Sequence, residues 1–268
     1  MKKTIGFIGG GNMAQAIIRG LLNAGHAANQ VAIAEPNGDQ VERLSALSPD
    51  LIISHSNTEI AECSDVVVLA TKPQYIALVA EEIAATKPAL VISIAAGITL
   101  ATIEASIGSG VAVVRNMPNQ PSVVGLGMTG LIGNASVDSD AHEAADYIAK
   151  ATGEVVWLEN ESLMDAITAI SGSGPAYLYL VMEMLAAGAE DFGFSKDIAR
   201  KLAVQTALGA ASLANSDDTN LAELRRRVTS PGGTTEAAIN SLESSGIRNT
   251  FEQALKAARN RSIELGKG

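Results

Sequence analysis

Cysteine is almost missing from this 268-residue chain. Cys63 is the only one, which excludes an internal disulfide and a cysteine-rich metal site. Histidine is scarce as well: His26, His55 and His142 fall in segments that read as loops or polar helix faces. They are expected at the surface, and no metal site is expected. Aromatic residues make up 3% of the chain against 47% for all hydrophobic residues, so the core must be aliphatic, with Ala and Gly letting helices approach closely. Basic residues are outnumbered 19 to 29, for a formal net charge of −10. Nucleic acid and anionic membrane both need a basic surface, so this balance argues against either as a partner. No apolar run approaches the ~18 residues that span a bilayer. Met1-Lys2-Lys3 runs straight into a strand interrupted by glycines, unlike a signal peptide. The expectation is a soluble cytoplasmic protein.

What the chain does have is a glycine-rich start. Thr4 to Ile8 reads as a short apolar strand, Gly9-Gly10-Gly11 as a tight turn, and Met13 to Leu22 as an apolar helix. The pattern G-x-G-x-x-A falls on Gly9, Gly11 and Ala14. Its positions serve a turn with permissive backbone angles, close approach to a pyrophosphate, and tight packing of helix on strand. The helix amides that follow, at Asn12 and Met13, point toward where phosphates would sit. A dinucleotide site is expected here.

Strands then alternate with helices. Val31–Ala34, Leu51–Ile53, Asp65–Ala70, Leu90–Ile94 and Val111–Arg115 read as strands, separated by helices at 39–47, 58–63, 76–85 and 100–107. Such alternation predicts a doubly wound, Rossmann-like α/β sheet. Two more strands, near 127–132 and 154–158, flank a helix at 141–151 and extend the sheet to its edge. From Glu161 no strand pattern recurs, and helices are expected at 162–170, 175–192, 196–214, 220–228, 235–242 and 250–265. The expected organisation is a dinucleotide-binding domain, 1–160, and an all-helical dimerisation and substrate-binding domain, 161–268. The helices of the second domain carry apolar residues on too many faces for an isolated layer, so homodimerisation is expected.

In an open α/β sheet, ligands bind beyond the carboxyl ends of the strands. The candidates are Gly9 to Met13, Glu35 to Gly38, Ala70-Thr71-Lys72-Pro73, Ala95-Ala96-Gly97 and Asn116 to Asn119. Two glycine-hydroxyl turns join them: Ser171-Gly172-Ser173-Gly174-Pro175 and Ser230-Pro231-Gly232-Gly233-Thr234-Thr235, each leading into a helix. Free amides beside hydroxyls suit a carboxylate or phosphate. No His, Lys or Cys stands in these turns, so chemistry there rests on positioning and electrostatics.

Gly6 to Met13, Lys72-Pro73, Ser93 to Gly97, Met117-Pro118-Asn119, Ser171 to Tyr177 and Ser230 to Thr235 together resemble the pyrroline-5-carboxylate reductase family, over essentially the whole length. The resemblance implies hydride transfer from a reduced nicotinamide dinucleotide to the carbon of a five-membered cyclic imine, giving L-proline. It implies that Ser230, Gly233, Thr234 and Thr235 hold the substrate carboxylate, with Thr235 near the imine nitrogen. It places Asn57 near the adenosine ribose, Ala70 to Pro73 along the cofactor, and Ala95, Ala96, Gly97 and Asn119 nearer the nicotinamide. The oligomer it implies is built from dimers. For the cofactor it implies NADPH, with NADP as product. The residues lean toward NADH, because Glu35 ends the second strand where an acidic group binds a ribose 2′-OH and no cation follows before Arg43. Both dinucleotides stay open at this point. So do a related reductase of another cyclic imine carboxylate and a non-catalytic dinucleotide-binding regulator. Arg225-Arg226-Arg227 and Asp218 are secondary candidates near the substrate turn, with Tyr177 and Tyr179 read as packing residues.

Overall fold

The computed structural model describes residues 2–266, which divide into two compact units: residues 2–173 with 258–266, and residues 174–257. The division falls after Ser173, beyond the composition change near residue 160, and the end of the last helix belongs to the first unit.

The first unit is built on one eight-stranded sheet. Its strands are β1 (Ile5–Ile8), β2 (Val31–Ala34), β3 (Ile52–Ser54), β4 (Val66–Leu69), β5 (Leu90–Ser93), β6 (Ala112–Met117), β7 (Gly127–Gly133) and β8 (Gly153–Trp157), in the spatial order β3-β2-β1-β4-β5-β6-β7-β8. The order reverses at β1, so the ends of β1 and β4 flank the switch point where such sheets bind ligands. The helices are α1 (Asn12–Asn23), α2 (Gly38–Ser45), α3 (Asn57–Glu62), α4 (Ile76–Ile83), α5 (Leu100–Ile107) and α6 (Ser139–Lys150).

The near-continuous apolar strands follow from burial of both sheet faces. Ile5, Phe7, Val31, Ile33, Val66 and Val68 face one core with Ile17, Ile18 and Leu21 of α1 and Ile148 of α6. Their neighbours Ile8, Ala32, Val67 and Leu69 face the other, with Ile76 and Ile83 of α4 and Ile103 of α5. Each such side chain fully removed from water contributes roughly 1.5–3 kcal/mol.

Five of the seven pairings involve only parallel neighbours among β1 to β6, whereas β6 and β7 pair antiparallel. The link between them holds only a short 3-10 turn, Gln120–Val124, and a parallel crossover needs about a dozen residues or more. The chain therefore doubles back. Helix α6 then supplies a true crossover, and β8 runs parallel to β7.

The expected helix at 162–170 is broken into three pieces: a 3-10 turn (Glu161–Leu163), α7 (Met164–Ile167) and a π-helical turn (Thr168–Gly172). The second unit holds α8 (Gly174–Asp191), α9 (Lys196–Ser216), α10 (Leu221–Arg227), α11 (Thr234–Ser244) and the start of α12 (Ile247–Leu265). Within the chain α8 buries none of its side chains and α9 buries only Ala199 and Ala203. Leu180 is 56% exposed, Met184 58% and Leu208 50%. Helices this apolar and this bare lack the cover that a stable fold in water requires.

Candidate functional site

The glycine turn is shaped by the strands on either side of it. The Gly9 amide donates to the Ala34 carbonyl at 2.9 Å, continuing the β1–β2 ladder by one residue. Gly9 has φ +101°, and a Cβ there would lie 2.9 Å from the Ala70 carbonyl oxygen at the end of β4. Only glycine fits both demands. Gly11 is different. It caps α1 with no side chain to satisfy the first-turn amides, and an added Cβ would meet nothing within 4 Å. The amides of Asn12 and Met13 therefore open onto free space at a helix N-terminus, a setting that favours an anion.

The neighbouring strand ends add polar groups. Thr71, just past β4, has a buried Oγ1 with no hydrogen-bond partner, and so does Asn116 through its Oδ1 near the end of β6. A buried polar atom left unpaired costs about 1–3 kcal/mol, and a bound ligand is one way to recover it. Lys72 is exposed, and Pro73 opens a 3-10 turn. Past β5, the Ala95 amide donates to Ser93 Oγ at 3.3 Å, Ala96 is exposed, and Gly97 turns with φ +78° against the end of α12. The open amides, the cradle at Gly11 and the orphaned Thr71 hydroxyl fit an extended phosphate-bearing dinucleotide.

Other expected residues are committed within the fold. Asn57 Nδ2 donates to Glu82 at 2.8 Å. Asn119 is buried, and its side chain spans two elements: Nδ2 donates to the Ser171 carbonyl and Oδ1 accepts from the Met128 amide, each at 3.0 Å. What Asn119 offers a ligand is the position of its loop.

The two glycine-hydroxyl turns differ from each other. Ser171 to Pro175 is not a turn. The Ser173 amide donates to the Thr168 carbonyl at 2.8 Å, and the Ser171 hydroxyl to the Ile167 carbonyl at 3.1 Å, so the chain stays helical throughout. A π-helical turn absorbs the extra residue. Gly172 is needed for packing, since a Cβ there would lie 2.8 Å from the Met117 methyl.

Ser230 to Thr235 is a turn. The Gly233 amide donates to the Ser230 carbonyl at 3.0 Å, Gly232 takes φ +72°, and α11 begins at Thr234. Glu236, in the first turn of α11, reaches back so that Oε2 accepts from the Gly232 amide at 2.7 Å. Glu236 thus places a carboxylate on the turn itself. Among the described residues no hydrogen bond within the chain engages the hydroxyls of Ser230, Thr234 or Thr235. These hydroxyls and the amides that open α11 are donors of the kind that a small carboxylate accepts from.

The arginines before this turn are neutralised locally. Arg225 pairs with Glu243 at 3.3 Å, Arg226 with Glu223, and Arg227 with Asp217 at 3.0 Å. Hydrogen bonds from Thr219 and then Arg227 hold the Asp217 carboxyl below its ordinary range. Asp218 is exposed beside it. Tyr177 packs edge-on against Phe251 with ring centroids 5.9 Å apart, and Tyr179 is 52% exposed.

One histidine expectation fails. His26 is buried, 4% exposed, because α1 ends on the core and sets the ring beside Tyr147. Its Nδ1 lies 3.3 Å from the Tyr147 hydroxyl, and burial lowers its pKa from the usual 6.5. A second feature carries no sequence signal at all. Glu161 Oε1 accepts from both the Arg115 guanidinium and the Leu100 amide (2.7 Å), tying β6 to the start of α5.

A doubly wound sheet with an uncapped glycine turn at a helix start has the frame of a dinucleotide-binding protein, here carrying an added helical unit. Comparison with known proteins agrees and narrows it. Residues 161–265 match the family model described as pyrroline-5-carboxylate reductase dimerisation, and residues 4–97 match one described as NADP oxidoreductase coenzyme F420-dependent. The chain is 45% identical to pyrroline-5-carboxylate reductase of Pseudomonas aeruginosa, covering 98% of this chain and 97% of the relative. Against the Synechocystis enzyme it is 42% identical over the full length of both. A solved pyrroline-5-carboxylate reductase from Coxiella burnetii superposes over all of both chains with a TM-score of 0.95 at 42% identity. The Plasmodium falciparum enzyme, solved with NADP bound, gives 0.87 at 30% identity over 99% of each chain. The chain belongs to the pyrroline-5-carboxylate reductase family.

Proposed function

We propose that this protein reduces L-1-pyrroline-5-carboxylate to L-proline, the last step of proline biosynthesis. The observation that carries the reading is the Ser230–Thr235 turn, whose hydroxyls have no partner among the described residues and which leads into α11 without a side-chain cap. It occurs in a chain that matches this family end to end.

When bound, the reduced nicotinamide supplies a hydride. The residues of the chain hold and orient. Gly11, Asn12 and Met13 take the pyrophosphate on their amides, and Thr71 lies along the dinucleotide at the end of β4. Ala70, Lys72, Pro73, Ala95, Ala96 and Gly97 line its path. Ser230, Gly233, Thr234 and Thr235 hold the substrate carboxylate, with the Thr235 hydroxyl beside the ring nitrogen. The C=N carbon gains the hydride and its two electrons. The nitrogen keeps the proton it already carries as the iminium and ends as the ring amine. No proton donor is then required, in keeping with a turn that contains no His, Lys or Cys. Alignment of the reacting atoms is the source of rate.

The helical unit associates with a second copy through the exposed faces of α8 and α9, in line with the dimerisation model it matches. The cofactor is a nicotinamide dinucleotide, and the choice between its two forms turns on Glu35.

The test is Thr235→Ala. Turnover of the imine should fall by on the order of 10²-fold or more for a lost positioning contact, with the dissociation constant of the dinucleotide unchanged. Unaltered turnover would remove Thr235 from the site.

A further inference from the structure

We propose that the chain is built for NADH and that Glu35 is the residue that excludes the 2′-phosphate of NADPH; this rests on the reductase reading above. Glu35 follows β2 directly, on the strand beside β1, where the adenosine ribose of a dinucleotide meets a doubly wound sheet. An acidic side chain there accepts from the ribose 2′-OH, and it opposes a phosphate at the same oxygen.

The structure adds what sequence does not contain: the carboxylate is fixed. Oε2 accepts from the Gly10 amide at 2.7 Å, inside the glycine turn, and Oε1 accepts from the Asn37 amide at 2.8 Å. The main chain is pinned as well, with the Glu35 amide on the Ser54 carbonyl at 3.0 Å and His55 Nδ1 2.8 Å from the Glu35 carbonyl. The residue is 8% exposed. To make room for a 2′-phosphate, the side chain would have to leave two backbone amides unpaired. If it stays, two anions meet across a ribose edge.

Along the loop that follows, no cation close to Glu35 offsets that charge. From Pro36 to Glu42 the charged residues are Asp39 and Glu42, both acidic. The first cation, Arg43, stands in the last turn of α2, away from its N-terminus. That N-terminus is already capped, because Asn37 Oδ1 accepts from the Gln40 amide at 3.1 Å. A phosphate therefore finds no guanidinium on this loop, and one of the helix-start amides is already taken.

The experiment titrates the purified protein with NADH and with NADPH, without imine, and reads the dissociation constants by calorimetry. A juxtaposed like charge opposes binding. At this partly open edge the expectation is that NADH binds on the order of tenfold or more tightly than NADPH. In Glu35→Ser the gap should close. Because that variant strands two amides, Gly38→Arg serves as a second. Gly38 opens α2, and a Cβ there meets nothing within 4 Å, so the change adds a cation without a clash. It should strengthen NADPH binding several-fold relative to NADH, as one added phosphate contact does. Equal or tighter binding of NADPH by the unmodified protein would overturn the proposal and leave the reductase reading standing. So would a NADH preference that survives both substitutions. Binding of neither dinucleotide would overturn both readings.

Discussion

Replacing Glu161 by alanine removes one carboxylate and strands two donors. Arg115 has 9% of its side chain exposed and Glu161 32%, so the pair is buried mainly on the arginine side. The Leu100 amide, at the first position of α5, loses its acceptor in the same step. Breaking a buried pair from one side costs about 3–5 kcal/mol. Water can reach part of the Glu161 site, and the lower end, about 3 kcal/mol, is the better expectation. At about 2–4 °C per kcal/mol for a domain of this size, the melting midpoint falls by about 6–12 °C. Trp157 is the single tryptophan, it sits on β8 of the first unit, and it stacks on His142 at 3.9 Å. Its fluorescence reports the unfolding of the unit that carries the substitution. Arg115→Met with Glu161→Leu supplies the control, since replacing both partners by apolar groups leaves no stranded charge. The double variant should be more stable than Glu161→Ala. A shift below about 1 °C for Glu161→Ala, or a double variant that loses the sum of the two single costs, would refute the reasoning.

Four further outcomes are expected. Gly9→Ala forces a left-handed backbone on a residue with a Cβ 2.9 Å from the Ala70 carbonyl, and it should weaken dinucleotide binding in a calorimetric titration while costing about 1–2 kcal/mol of stability. Asn119→Ala strands the Met128 amide and the Ser171 carbonyl and should cost about 2–3 kcal/mol in denaturant unfolding. His26 has a folded pKa below its unfolded 6.5, because burial disfavours the imidazolium. The unfolded chain therefore takes up the proton first as pH drops. Stability holds above about pH 6.5 and declines below it, and His26→Gln should flatten that part of the stability profile. Leu180→Asp places a charge on the bare face of α8 and should shift the protein from dimer toward monomer in light scattering, with far-UV circular dichroism retained.

Much of the sheet was legible because its signals are local. The buried strands are short and mostly apolar, as in Val31–Ala34 and Val66–Leu69, and the glycine turn sits between a strand and a helix that announce themselves. The Ser230–Thr235 turn could be read for the same reason, since Pro231, Gly232 and Gly233 act on their own backbone. Distant partners had no such signal. Burial of His26 depends on Tyr147, the fate of Asn119 on Ser171 and Met128, and the role of Glu161 on Arg115 and Leu100. The serine-glycine segment at 171–175 misled because its glycine answers a packing demand from Met117 and not a turn. The antiparallel return of β7 was hidden in loop length, where a short link and a missing crossover helix look alike. The position of Glu35 just past the second strand was legible in the sequence, yet the two amides that immobilise its carboxylate, Gly10 and Asn37, became visible only in three dimensions.

The most direct measurement mixes the purified protein with L-1-pyrroline-5-carboxylate and reduced nicotinamide dinucleotide, follows the nicotinamide absorbance, and assays the product. The account predicts oxidation of the dinucleotide matched mole for mole by L-proline. Folded protein that binds the dinucleotide yet consumes none of it in the presence of the imine would contradict it.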